Sequence, residues 1–391
     1  MRRGMIGLLA LLVCVVMGIG GGTEIEEQAF VLTLGMDREE DGAMRVSVIV
    51  PSGRTGESGG GSGGGGGGSG SGSSGASGNS YELMSCTAAN YIDALLTLRS
   101  IVPRRLNFAQ VVQVVVSETL AREETFVDTL RSVLGTEQIR EATVLVVCRD
   151  KAWDFMDAQR QPLLGRRLSV AIQEALEDFE ELGSISCPQL GEVVRMTQRA
   201  WNDMLVPYVS VAITGEEKKA EPGRALDLYP GEVRYAGTPN KVEYFGAAVF
   251  RDGRMAGALT AMEMQTLSFL MGGAQRVIFA ADGVYYHLDR MRETHMEAKR
   301  ADGGWRLRVD ASIQAFALQG TTAPDAVREA FGREVLGVLS KLRALGSDPL
   351  GFEGNAVRAY PTLDAWAGVD WESAYQQAAI EVRLQVTAAA H

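Results

Sequence analysis

Residues 111–148 read VVQVVVSETLAREETFVDTLRSVLGTEQIREATVLVVC, and this pattern decides the fold class. Two apolar, valine-rich runs at 111–116 and 143–148 flank a segment in which Leu120, Val127, Leu130 and Leu134 recur at helical spacing, with Gly135 placed as the C-cap. Strands that are apolar without alternation are covered on both faces, so these two belong to the centre of a sheet sandwiched between helices.

Upstream, 28–36 and 44–50 read as two strands joined by a turn at Asp41-Gly42, a strong hairpin dipeptide. A strand over 81–86 follows. A helix then carries Tyr91, Leu95, Leu98 and Val102 on one face and stops at Pro103. Between 52 and 80 the chain is almost all glycine and serine, a composition that cannot bury apolar surface, so this is a flexible insertion into one domain. Its Gly60-Gly61-Ser62-Gly63-Gly64 matches a hydrolase nucleophile elbow by chance, because that motif works only on a turn between a strand and a helix.

Downstream, 163–198 reads as mainly helical and 206–214 as a strand, followed by the polar loop 215–241. From 242 the pattern gives a strand to Phe250, a turn at Asp252-Gly253, a helix over 261–271, and strands near 277–279 and 284–288. A longer pair spans 293–300 and 305–318, turned at Asp302-Gly303-Gly304. A long helix starts near Pro324, with Thr322 or a neighbour as cap, and its Val327, Phe331, Val335, Val338, Leu342 and Leu345 form one stripe expected to pack on the sheet that ends in the last strand. In that strand Ile380, Val382, Leu384 and Val386 alternate with Glu381, Arg383 and Gln385.

A chain of 391 residues exceeds one ordinary core. The expected fold is α+β, two to three α/β domains, each a mixed or antiparallel sheet packed with helices. The expected partition is a segment at 1–22, an N-terminal domain at 23–158, a small middle unit with its connecting loop at 159–240, which could also be the second half of the first domain, and a C-terminal domain at 241–391.

A net charge of -11 argues against binding to nucleic acid or an anionic lipid surface, both of which require clustered cations. Cys14, Cys86, Cys148 and Cys187 form no C-x-x-C pair and have no histidine at ligand spacing, so no metal site is expected. The pair left for a disulfide is Cys86 with Cys187, which no spacing requires. His287 and His295 read as ordinary sheet or loop residues and His391 ends the chain, so a histidine-based triad has almost no material. The carboxylates Glu24, Glu26 and Glu27, and Glu177, Asp178, Glu180 and Glu181, show no sign of the apolar pocket that would push two pKa values apart, and read as solvated. No catalytic residue and no cofactor is expected.

At the N-terminus, Arg2 and Arg3 precede an uncharged, largely apolar stretch over 5–22, the order found in export signals. As a helix it would be about 27 Å long, slightly short of a hydrocarbon core. No A-x-A-like cleavage site follows, which favours an uncleaved anchor or lipidation of Cys14, although Val13 stands where a lipobox places a small residue.

Three stretches and two short closing pairs resemble one family. Glu24-Ile-Glu-Glu-Gln-Ala-Phe-Val-Leu-Thr-Leu-Gly-Met-Asp37 resembles the opening of the Ger(x)C proteins, the C subunits of spore germination receptors. Leu98-Arg-Ser-Ile-Val-Pro-Arg-Arg-Leu-Asn-Phe108, with Ser117-Glu-Thr-Leu-Ala-Arg122, is similar to that family's middle signature. Phe245-Gly-Ala-Ala-Val-Phe-Arg-Asp-Gly-Arg-Met-Ala-Gly257, with Glu263 and Leu270-Met-Gly272, resembles its C-terminal domain, as do Tyr360-Pro361 and Asp370-Trp371. The family opens its mature part with a lipid-modified cysteine followed by Trp-Asp, and here those positions fall in 19–22, without a cysteine. Attachment would therefore rest on the helix or on Cys14. The resemblance implies a non-catalytic subunit at the outer face of the spore inner membrane, with A- and B-type integral membrane subunits as partners. The alternatives are a solute-binding lipoprotein, which an interdomain cleft with convergent polar groups would mark, and an exported hydrolase, which two facing carboxyls in a pocket would mark.

Overall fold

The computed structural model of the protein describes residues 27–52, 81–136, 138–160, 166–196, 203–214, 226–235, 242–301 and 303–389. The N-terminal segment with Cys14, the Gly/Ser run from 53 to 80, most of the loop 215–241 and His391 lie outside them.

The first part of the chain runs β1 (Gln28–Phe30), β2 (Thr33–Arg38), β3 (Met44–Pro51), β4 (Tyr81–Ala88), α1 (Tyr91–Ile101), β5 (Arg105–Asn107), β6 (Gln113–Ser117), α2 (Glu118–Ala121), α3 (Phe126–Thr136) and β7 (Val144–Cys148). Then come α4 (Ala152–Gln159), α5 (Leu168–Glu181), α6 (Leu190–Met196), β8 (Leu205–Val211), β9 (Ile213–Thr214), β10 (Arg234–Tyr235), β11 (Val242–Arg251) and β12 (Arg254–Leu259). Eight of these strands form one mixed sheet in the order β12-β11-β8-β7-β6-β2-β3-β4. Strands β2, β6, β7 and β8 are parallel, and the antiparallel hairpins β3–β4 and β11–β12 flank them.

The valine runs stand at its centre because alternate residues feed opposite cores. Val114, Val116, Leu145 and Val147 pack with Leu95 and Leu98 of α1, Leu130 of α3 and Val193 of α6. Val115, Val146 and Cys148 pack with Phe155 and Met156 of α4 and Ile172 and Leu176 of α5. The sheet therefore separates Cys86, which borders the first core, from Cys187, which borders the second, and both are free thiols. The candidate disulfide does not form.

The second part runs α7 (Ala261–Met271), β13 (Arg276–Ala281), β14 (Val284–Arg290), β15 (His295–Ala301), β16 (Gly304–Ala317), α8 (Pro324–Leu345), α9 (Phe352–Val357), α10 (Leu363–Ala367), α11 (Trp371–Gln377) and β17 (Ala379–Ala388). Strand β16 is its spine. Strand β14 pairs with its C-terminal half and β15 with its N-terminal half, both antiparallel, while β17 runs parallel beside it. Residues Trp305 to Ala317 alternate strictly between a buried and a wetter face, and the buried set packs under α8.

The strand pairing departs from the expected partition. Residues 205–211 and 242–259 continue the first sheet, so the expected middle unit completes the N-terminal layer and the second sheet starts after Leu259. Other differences are local. The helix carrying Leu120 to Leu134 divides into α2 and α3 at a turn pinned by the Arg38–Glu123 ion pair (2.7 Å), and Gly135 falls inside α3 instead of capping it. The cap of α8 falls on the neighbour of Thr322, Ala323, with Pro324 following, while the Thr322 hydroxyl accepts the Ala317 N–H (3.0 Å).

The stripe on α8 also serves two cores. Val327, Phe331, Val335 and Leu339 face the five-stranded sheet, whereas Val338 and Leu342 face Leu205, Val249, Leu259, Met264 and Leu267, on the eight-stranded sheet and α7. Helix α8 is thus the wedge between the two sheets.

Candidate functional site

The residues that carry the family likeness are placed at caps, bulges and joints. Asp37 is fully buried, and its carboxylate accepts the Ala152 and Trp153 N–H groups (2.6 and 3.0 Å) at the start of α4. Burial raises its pKa, and those two donors with Arg45 oppose the rise. Two residues earlier, Gly35 leaves the space that the Met156 thioether fills, since a Cβ there would lie 2.2 Å from its sulfur. Ser117 caps α2, and Glu118 receives both Arg122 and the Tyr208 hydroxyl. Phe245-Gly246 is a bulge in β11. The register shifts there, and Gly246 takes φ 85, a conformation that favours glycine, while its N–H reaches Ser184 O (2.8 Å). Asp370 caps α11 through the Ser373 N–H (3.1 Å), and Trp371 lies edge-on to Trp305 and tilted against Trp366 and Tyr375 in one aromatic cluster.

Two polar groups hold the sheets together. At the first, α7 begins with a capping box in which Thr260 and Glu263 exchange hydrogen bonds (2.8 and 3.3 Å). The same Glu263 carboxylate receives Lys341 of α8 at 2.5 Å, and Lys341 also donates to the Tyr229 hydroxyl (2.8 Å) and lies over its ring. Burial alone would lower the lysine pKa, but the Glu263 carboxylate and the Tyr229 hydroxyl outweigh it and hold the value above the ordinary one.

At the second, the chain leaving α8 docks on the ends of β8 and β11. The Ser347 hydroxyl donates to Phe250 O (2.8 Å), the Tyr375 hydroxyl donates to Ser347 O (2.9 Å), and the Asp348 N–H donates to the Asp203 carboxylate (2.8 Å). Asp348 accepts in turn from the Glu353 N–H (2.7 Å), and Arg251 pairs with Glu372 (2.5 Å). Burial pushes the Asp348 carboxyl up to about 6. Burial, with the neighbouring Asp348 and Asp203, pushes Glu353 to about 7. These carboxyls escaped the sequence reading because Asp203 and Asp348 are 145 residues apart, and nothing local to either announces the other.

Beyond the joint, the face of the second sheet away from α8 carries a lattice of ion pairs: Arg276–Asp289, Arg308–Glu297, Arg308–Asp310 and Arg306–Glu381. Where β14 gives way to β15, a polar cleft of about 350 Å³ opens between Arg292, Glu293, His295, Asp310, Ser312 and Arg383. Asp310 Oδ1 is buried there without a hydrogen-bond partner. The cleft lies on one sheet, away from the joint between the two. His295 lines it, and His287 sits within β14 opposite Phe316.

Of the expected solvated carboxylates, Glu177 and Glu181 are exposed on α5, Glu180 accepts the Cys187 N–H (3.0 Å), and Glu24 and Glu26 lie outside the described residues. Cys14 also lies outside them. Among the described residues no group of His, Cys, Asp and Glu could hold a metal ion, and no helix is long and apolar enough to cross a membrane.

Comparison with known proteins gives one consistent family. The spore germination protein N-terminal domain matches residues 21–211, and the spore germination B3/GerAC-like C-terminal domain matches residues 245–389. The second match begins inside β11, so the two segments interlock through the hairpin that completes the first sheet. The crystal structure of the GerBC protein has a similar fold, with TM-score 0.52 and 13% identity over 91% of this chain and 97% of that one. No curated protein sequence matches the chain.

Proposed function

The chain belongs to the GerAC-like family of spore germination proteins, and from that premise we propose that it is the non-catalytic, membrane-anchored C subunit of a nutrient germinant receptor. In this reading it acts by assembling with A- and B-type integral membrane subunits on the outer face of the spore inner membrane. One observation carries it: the described residues of the family-like stretches that the fold singles out, Asp37, Ser117, Gly246, Glu263 and Asp370, fix helix starts, a bulge and the joint between sheets. A subunit whose distinctive residues shape a scaffold acts through the surfaces that scaffold presents.

The test is affinity capture of the tagged full chain from spore membranes. Both integral membrane subunits should co-purify, and recovery of the tagged chain alone would reject the assembly. Anchorage is tested separately by removing residues 1–22 and exporting the remainder through a cleavable signal. The germination response should be lost, because a tethered subunit gains effective concentration near its partners that a free one lacks.

A further inference from the structure

Strand β17 is hydrogen-bonded along one edge only. All ten of its residues pair in register with Arg306–Ala315 of β16, and among the described residues no strand lies along the other edge. Sheets ordinarily protect such an edge with a proline, a bulge, charged side chains or extreme shortness. Strand β17, AIEVRLQVTA, is ten residues long with no proline and no register shift against β16, and its two charged residues, Glu381 and Arg383, are of opposite sign. Ile380, Val382, Leu384 and Val386 remain only partly buried beneath α8, while Arg383 and Gln385 are exposed on the opposite face.

We propose that this edge pairs antiparallel with β17 of a second copy of the chain, about a two-fold axis at Val382. The sequence is self-complementary in that register. Glu381 of each copy stands opposite Arg383 of the other, and Ile380 stands opposite Leu384, so charge meets charge on the open face and apolar meets apolar on the face under α8. Directly opposed residues approach closely enough for each ion pair and each apolar pair to contribute. Centring the axis on Leu384 instead would set Arg383 against Gln385 and Glu381 against Thr387, which removes both ion pairs. A centre between two residues would set charged against apolar positions and place the two α8 helices on opposite faces. Within one chain Glu381 pairs with Arg383 (2.6 Å) and Arg306 (3.7 Å), and the dimer exchanges the first of these contacts for its equivalent between copies. The product is one continuous sheet through both copies, with their two polar clefts side by side.

The experiment is sedimentation equilibrium of the full chain in detergent micelles, with three variants. The unaltered chain should form a reversible dimer. Glu381→Arg and Arg383→Glu each set like charges opposite one another twice, and should weaken association on the order of tenfold or more. The double variant Glu381→Arg/Arg383→Glu restores both pairs with exchanged signs and should recover the dimer. Both side chains are at the sheet surface, and melting curves would establish that the variants fold. A monomeric unaltered chain, as expected if the edge instead receives a strand from a different protein, would overturn the proposal. So would a dimer indifferent to the single reversals, as expected if the N-terminal apolar segment drives association, or a double variant that stays monomeric.

Discussion

The two sheets of this protein are built from different sequence patterns and treat water differently. The eight-stranded sheet is covered on both faces, with Val114 and Val116 on one side and Val115 on the other. The five-stranded sheet is covered on one face only, and β16 alternates Trp305, Leu307, Val309 and Ala311 against Arg306, Arg308 and Asp310. A sheet buried twice has no face left with which to meet a partner, except at its ends and edges. A sheet buried once keeps a polar face, a cleft and an open edge. The first sheet therefore reads as the foundation of the molecule and the second as the one with surface left for contact, and α8 joins them by burying residues in both.

The sharpest way to break this arrangement is at Val338, which is 1% exposed between the two sheets. Val338→Asp would bury an unpaired carboxylate among Leu205, Val249, Leu259 and Leu267, at a cost of more than about 4 kcal/mol. A circular dichroism melt should show the cooperative transition lost or shifted far down. If the variant folds normally but no longer co-purifies with membrane subunits, the wedge is instead a docking surface.

A smaller effect separates the polar seam from an ordinary surface. Lys341 lies to one side of the expected stripe, where a surface lysine would change stability little. In the folded chain it joins α8 to α7 and to Tyr229, so Lys341→Ala should cost about 1–3 kcal/mol by leaving part-buried Glu263 without its cation. Arg333 on the same helix pairs only with exposed Glu329, so Arg333→Ala should cost less than about 0.5 kcal/mol. Urea titrations of the two variants would separate them. Equal effects would mean that the seam contributes no more than the surface does.

The joint should also respond to pH, with a sign fixed by burial. Asp348 rises from 3.8 to about 6 and Glu353 from 4.5 to about 7, so across that window the folded chain holds more protons than the unfolded one. Their contribution is fully present below the unfolded values and is lost as pH rises through the folded ones. Asp289 and Asp370 carry lowered values and act in the opposite sense at more acid pH. Melting temperature should therefore fall as pH is raised from about 5 to about 7.5, and Asp348→Asn should flatten that slope. An identical slope in the variant would place the pH dependence elsewhere.

These residues also show what could and could not be read in advance. Strands β6 and β7 were legible because double burial demands unbroken apolar runs, and α7 was legible because Thr260 and Gly272 mark its ends. Strand β12 was not. Its Met-Ala-Gly-Ala segment lacks large alternating residues because Leu345 of α8 presses on it, 2.8 Å from where a Gly257 Cβ would stand. The short helices α9 to α11 carry too few turns for periodicity to appear. The double duty of α8 was hidden because residues spaced by three and four give a stripe wide enough for one core or two. The joint was hidden for a different reason: its carboxyls meet only after both sheets have formed.

The smallest effect is expected at the Gly/Ser insertion, and it tests whether the first sheet needs anything outside its own pairing. Strands β3 and β4 pair over their full length, from Met44 with Ala88 to Pro51 with Tyr81, without a register shift. Their side chains fix that register: Val46, Val48 and Val50 lie in the core under α1, and Ile49 lies in the opposite core. The connection between Pro51 and Tyr81 then matters only through the entropy of closing it. Halving the run 52–80 shortens the closure and should stabilise the chain by about 0.6 kcal/mol, a small upward shift in melting temperature. A loss of more than about 1 kcal/mol would mean that the run is held by contacts of its own, since chain entropy alone cannot give that sign.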